Sequence, residues 1–402
     1  MASGNRPLRP GLMAAAAAAL AMAALPSLAQ TTVLINPGDQ IEGDRLAVFN
    51  LWKAALEASL RKSGATSVQA RFSSDATADL SATRANLFDV MVAPAPTIGS
   101  AVRHGYVPVL GSSSQARAVL VVPAGSAITG LAQSKGKRLG IPGQDSVVTY
   151  LLRGEVQAAN TTLRKNFASV YQSRWQDALL HCLELRRCDV VAVEQNVAQR
   201  WISAGSAVKI VWQSREVPGQ SVALRRDAKL QPEALRAALN GELAKAEVAL
   251  HTSELKAKDF EYVSTLGYFT PRLLEGARLI EDPAAIEQLL AGGARYIDTR
   301  NDEEFRRGHV PGATLVPYVE KSPKEPDYDA KLDKFEVERL GESKSQALVF
   351  GCNGAECWKS FKASRAALEA GYTQVYWFRS GFPAWRDSGR KVQTGAGSST
   401  GA

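Results

Sequence analysis

The sequence predicts an α/β protein built as two units in series, and three observations predict it. From Thr31 to about Val263, short apolar runs with strand character alternate with amphipathic helical segments, the pattern of parallel α/β lobes. Ala347–Ser360, ALVFGCNGAECWKS, passes from an apolar strand through a glycine-bearing loop into a helical pattern. Pro271–Arg278 interrupts both patterns and reads as the junction between them. The expected divisions are a leader at 1–29, a first unit at 30–262, a linker at 263–278, a second unit at 279–392 and a disordered Gly/Ser-rich tail at 393–402.

The leader reads as a cleaved secretory signal. Arg6 and Arg9 precede the apolar run Leu12–Leu25, and Ser27 and Ala29 supply small residues at a cleavage site. The run is too short and alanine-rich to span a bilayer, so no stable membrane insertion is expected and the mature chain is placed in the periplasm. Removing the leader takes two arginines and no acids, so the formal charge of +8 falls to +6. Basic residues are scattered among acids with no stripe interleaved with aromatics, which argues against a nucleic-acid partner. A modest positive field suits anionic small molecules. Four cysteines are too few for a disulfide scaffold, and the four dispersed histidines offer no metal-ligand spacing, so neither metal nor cofactor is expected.

In the first unit, TTVLINPG is a strand and turn, and Arg45–Arg61 is an amphipathic helix. SVQARFS, LFDVMVAP, YVPVLG, ARAVLVVP and KGKRLGIPG follow as strands, and Asp145–Asn160 as a helix. FASVYQS, CDVVAVE and AVKIVWQS complete the strand set. Asp89–Pro94, Gly105–Val109, Ala116–Val122 and Lys135–Gly140 resemble periplasmic solute-binding proteins of ABC importers, of the phosphate/phosphonate type. That resemblance implies a bilobal, type II-like fold with lobe one at 31–115 and 215–262 and lobe two at 116–214. It also implies a small solute in the cleft and an importer permease as partner.

Asp145–Tyr150 follows a strand and opens a helix, so Ser146, Thr149, Tyr150 and nearby N–H groups are candidates to hold an oxyanion. N-capping by Asp145 or Ser146 accounts for the same residues equally well. Thr97, opening a helix after Ala93–Pro96, would present the opposite wall, with Asn36 and Asp39 as weaker candidates. Cys182 and Cys188, in HCLELRRC between a helix at Trp175–Leu185 and a strand, are expected to form a disulfide worth about 2 kcal/mol, with two separately buried thiols as the alternative.

The second unit opens with a helix expected over Leu279–Leu290, capped by Asp282 with Pro283 at its first position. Ser322–Asp333 reads as a long surface loop. In the Ala347–Ser360 stretch, Cys352 falls where the loop N–H groups and the following helix favour an anion, so its thiol is expected to be acidic. The competing reading is a small buried hydrophobe at a strand end.

Tyr296–Ala313, YIDTRNDEEFRRGHVPGA, and Val375–Trp385, VYWFRSGFPAW, resemble the two signatures of rhodanese-like domains, with Cys352 between them. The resemblance spans about Leu279 to Val392 and implies a central parallel sheet, and a sulfurtransferase that carries sulfane sulfur on Cys352 as a persulfide. It gives the active-site loop as Asn353, Gly354, Ala355, Glu356, Cys357, Trp358, Lys359 and Ser360, with Asp298 and Arg300 supporting. Short rhodanese loops place a basic residue and serine five and six positions after the cysteine, whereas Lys359 and Ser360 stand at seven and eight. The C-x4-C-W form resembles a subgroup of small exported proteins found beside quinoprotein alcohol dehydrogenases.

Cys357 is either a resolving thiol or a buried cysteine beneath Trp358. Lys359 either assists a thiolate or is a solvated surface lysine, and Arg300 either serves the site or pairs with Glu303 or Glu304. A phosphatase of this fold needs an arginine six positions after the cysteine, where Trp358 stands. Two functions remain: anion binding joined to sulfur transfer with a sulfur donor and acceptor, or a non-catalytic accessory factor for a periplasmic redox enzyme.

Overall fold

The computed structural model describes Met1, residues 30–245 and residues 251–395. Apart from Met1, the expected leader lies outside the described residues, as does all but the start of the expected tail. Among the described residues the chain forms three main sheets.

The first sheet has six strands in the order Thr252–Ser253, Tyr106–Ser112, Ser221–Arg225, Val90–Ala93, Gln30–Ile35 and Ser67–Phe72. The second has five, ordered Val208–Gln213, Ala118–Pro123, Val190–Glu194, Arg138–Pro142 and Ser169–Ser173. Central strands are valine-rich and buried on both faces, as sheets covered by helices on each side require. Gln115–Ala116 pairs antiparallel with Val217–Pro218, and these two segments carry the chain from one sheet to the other and back. The two sheets are therefore the cores of two lobes joined by crossover strands. No helix among the described residues is long and apolar enough to cross a membrane.

The third sheet is parallel throughout, ordered Arg278–Ile280, Val375–Phe378, Leu348–Gly351, Arg295–Asp298 and Thr314–Leu315. Asp282 caps the helix Pro283–Ala291 by accepting the Ala284 N–H, with proline in its first turn. Leu279 and Ile280 are not helical: they pair in register with Trp377 and Phe378, and this edge strand precedes the cap. The helix expected over Trp175–Leu185 spans only Leu179–Glu184, because Ser173 and Trp175 close a turn in which the Ser173 hydroxyl donates to the Trp175 carbonyl.

The parallel-sheet domain packs against both lobes. On lobe one, Glu303 forms a two-pronged pair with Arg71, and Glu356 pairs with Arg103. On lobe two, Lys324 pairs with Asp145 and Arg164 with Glu325. Ser322–Asp333 runs over the surface at Pro326, Asp327 and Asp329–Leu332, as its composition suggests, but not at its start. Ser322, Lys324 and Tyr328 are buried, the lysine because its ammonium lies against a lobe-two carboxylate.

Candidate active site and interlobe cleft

Leu348–Gly351 is the middle strand of the parallel sheet, and Cys352 follows directly at its carboxyl end. Glycine is required at 351: a Cβ there would lie 1.9 Å from the Tyr296 hydroxyl oxygen. It is required again at 381, where φ is +63° and a Cβ would lie 2.2 Å from the Cys352 carbonyl oxygen. That carbonyl accepts the Phe382 N–H at 2.8 Å, tying the loop to the closing helix Gly381–Asp387. Gly354, at φ +90°, turns the loop back, and its carbonyl accepts the Cys357 N–H at 2.9 Å. The helix Trp358–Glu369 starts immediately after Cys357.

Cys352 and Cys357 are joined as a disulfide, with Cα atoms 6.2 Å apart. Cys352 Sγ also lies 3.2 Å from Ser360 Oγ. The Trp377 indole N–H donates to Ser360 Oγ at 3.2 Å. The same serine oxygen therefore touches both the Cys352 sulfur and the Trp377 indole.

Asp298 and Arg300 form a buried unit behind this loop. Arg300 Nε and Nη2 grip the Asp298 carboxylate, Nη2 also donates to the Gly308 carbonyl at 2.7 Å, and the guanidinium lies 4.2 Å from the Phe382 ring centre. Burial opposes the arginine's charge, but the adjacent Asp298 carboxylate outweighs it and holds the arginine pKa above its ordinary value. Arg300 therefore pairs with Asp298, not with Glu303 or Glu304, because those two face lobe one. Glu304 Oε1 accepts from Ser81 Oγ at 2.6 Å and from Asn353 Nδ2 at 2.7 Å.

The loop is covered. Cys352 is 1% exposed, and Asn353, Glu356, Cys357, Trp358 and Ser360 are also buried, while Ala355 and Lys359 are partly exposed. The cover comes from the junction segment and lobe one. The Thr270 N–H and hydroxyl both donate to the Ala355 carbonyl at 2.8 Å. The Trp358 indole donates to the Tyr268 carbonyl at 2.8 Å. A Cβ at Gly267 would sit 1.8 Å from Glu356 Oε1, so the carboxylate rests directly on the junction backbone and would have to move for any larger residue there.

Between the lobes lies a cavity of about 440 Å³ lined by Asn36, Asp39, Thr77, Thr97, Asp145, Ser146 and Arg174 among others. Thr97 and Ser146 thus face each other across the cleft. Thr149 and Tyr150 do not join them: the Thr149 hydroxyl donates to the Pro142 carbonyl at 3.2 Å, and Tyr150 packs edge-on against Tyr268. Asp145 accepts from the Thr77 hydroxyl of lobe one as well as from Lys324, so it does not cap its helix. Gln176 links the lobes, donating to Asp39 at 2.7 Å and to Glu194 at 2.9 Å. Burial raises the Asp39 pKa, and burial followed by repulsion from Asp39 pushes Glu194 up to about 7. Behind the second lobe, Cys182 and Cys188 are joined as a disulfide with Cα atoms 5.3 Å apart.

Sequence reasoning missed Ser81, Arg103, Arg174 and Lys324, and weighed Glu304 only as a partner for Arg300. Glu304 alone had a local signal, the capping box it forms with Asn301.

The two halves define a solute-binding protein with a rhodanese-like domain at its carboxyl end. The model of the family of ABC transporter, phosphonate, periplasmic substrate-binding proteins matches residues 48–264, and the chain belongs to that family. The model of the rhodanese-like domain matches residues 282–388. Over 105 residues the chain is 34% identical to thiosulfate sulfurtransferase 16, chloroplastic, of Arabidopsis thaliana, covering 25% of this chain and 81% of that one. It is 32% identical over 117 residues to thiosulfate sulfurtransferase 18 of the same plant, covering 28% and 82%. Among solved structures, PhnD1 of Prochlorococcus marinus in complex with methylphosphonate is similar at 14% identity and a TM-score of 0.48, covering 59% of this chain and 96% of that one.

Proposed function

We propose that this is an exported periplasmic protein, with a leader at 1–29, that joins a small-anion-binding module at 30–262 to a persulfide-forming sulfurtransferase at 279–392. Thr97 and Ser146 line the solute cleft in this reading, and an importer permease is its membrane partner. The observation that carries the catalytic half is Cys352 at the carboxyl end of the central parallel strand, with the Ser360 hydroxyl oxygen 3.2 Å from its sulfur.

A reduced Cys352 thiolate attacks the outer sulfur of thiosulfate. The new Cys–S–S⁻ bond forms as the sulfur–sulfur bond of thiosulfate breaks and sulfite leaves with the electron pair. An acceptor thiolate then takes the outer sulfur and restores Cys352. Where no acceptor arrives, the Cys357 thiol attacks Cys352 Sγ, releasing hydrosulfide and forming the disulfide seen here, which an external dithiol must reduce.

The test is intact mass of reduced protein incubated with thiosulfate, and separately with a polysulfide. One added sulfur on the peptide holding Cys352, removed by cyanide as thiocyanate, is the expected result, and Cys352→Ser abolishes it. Wild type and Cys352→Ser behaving alike with every donor would reject the reading. The burial of Cys352 and most of its loop favours a second reading, a non-catalytic accessory factor, and that same negative result would support it.

A further inference from the structure

A second cavity, apart from the interlobe cleft, lies between the domains. It measures about 580 Å³, within the range of small-molecule sites. Lobe two supplies Arg153 and Gln172, the junction supplies Tyr268 and Phe269, and the rhodanese-like domain supplies Lys324 and Trp358. Gln144 lines this cavity and the cleft alike, so one turn of chain separates them.

The charges around it do not balance. Lys324 is neutralised by Asp145, and Arg164 by Glu325. Arg153 has no carboxylate partner among the described residues. It is only 9% exposed, and its Nε and Nη2 make no hydrogen bond. These two nitrogens form the edge with which Arg300 and Arg138 each grip a carboxylate. The Arg153 guanidinium lies instead 3.7 Å from the Tyr268 ring centre and 5.3 Å from that of Tyr150. Aromatic faces offset only part of what a buried, unpaired guanidinium loses on leaving water. The remaining wall mixes aromatic and aliphatic side chains with glutamines.

We propose that this interdomain cavity binds a small organic oxyanion, with an apolar or aromatic body against Tyr268, Phe269 and Trp358 and its acidic group held by Arg153. The site is distinct from the solute cleft, and binding there needs no chemistry at Cys352. Because its walls come from both domains, an occupant ties lobe two to the segment that begins the Trp358 helix.

The probe is benzenesulfonate, titrated into the full-length protein by calorimetry, with phenylphosphonate beside it. Wild type is expected to bind at least one of them, and Arg153→Met to weaken that binding by roughly tenfold or more. Arg174→Met, at the cleft, should leave it unchanged. Gln172→Trp, at an exposed position of the edge strand Ser169–Ser173, fills the cavity mouth and should abolish binding even if Arg153→Met fails to fold. No binding of either probe at millimolar concentration, unchanged affinity in Gln172→Trp, or loss in Arg174→Met alone would overturn the proposal.

Discussion

Lys324→Met tests whether the rhodanese-like domain is locked to the second lobe. Lys324 Nζ lies 3.0 and 2.8 Å from the two Asp145 carboxylate oxygens, and both side chains are almost wholly buried. Breaking a buried pair from one side typically costs about 3–5 kcal/mol, because the surviving charge stays buried without its partner. Two features reduce that here. The Thr77 hydroxyl still donates to Asp145, and the carboxylate precedes the amino terminus of the helix Val147–Ala158, worth up to about 1 kcal/mol. The expected loss is therefore about 2–4 kcal/mol.

The assay is urea unfolding of wild type, Lys324→Met, Asp145→Asn and the double variant, read at one probe, since a chain of several domains need not unfold in one step. Removing both charges should cost less than the sum of the single losses, with a coupling of at least about 1.5 kcal/mol. Additive losses, or a single-variant loss under about 1 kcal/mol, would show that the pair does not hold the domains together.

Two further predictions concern pH dependence and access. Burial and the neighbouring Asp39 raise the Glu194 pKa to about 7, so the folded form carries a proton there that the unfolded chain sheds near pH 4. Its contribution to stability is present at low pH, falls as pH rises and is lost on passing about 7; Glu194→Gln should flatten that dependence in urea titrations from pH 5 to 8. Arg103→Ala removes the cation that holds Glu356 under lobe one, and should speed iodoacetamide labelling of reduced Cys352 several-fold, measured by mass. Equal labelling rates would mean that the cover over the loop is held elsewhere.

What the sequence by itself determined follows from local signals. The strand ending at Gly351, Cys352 behind it and the helix from Trp358 lie where the apolar run and its glycine stop place them. Alternating strands and helices gave the α/β class, because burial on both faces writes a continuous valine-rich run. Asp282 and Pro283 mark a helix start because capping involves neighbours only.

Tertiary structure alone decided the rest. Lys324 and Asp145 are 179 residues apart, and a lysine in a Pro- and Asp-rich loop carries no local sign that a buried carboxylate awaits it. Arg300 chose Asp298 because the start of the helix Asp302–Arg307 turns Glu303 and Glu304 toward lobe one. Thr149 and Tyr150 left the cleft because one belongs to the Pro142 carbonyl and the other to Tyr268, a partner the junction brings over. The cover over Cys352 depends on Gly267 and Thr270 meeting Glu356 and Ala355 across a domain boundary. Periodicity and capping act over a few residues, whereas these contacts exist only once whole lobes have packed.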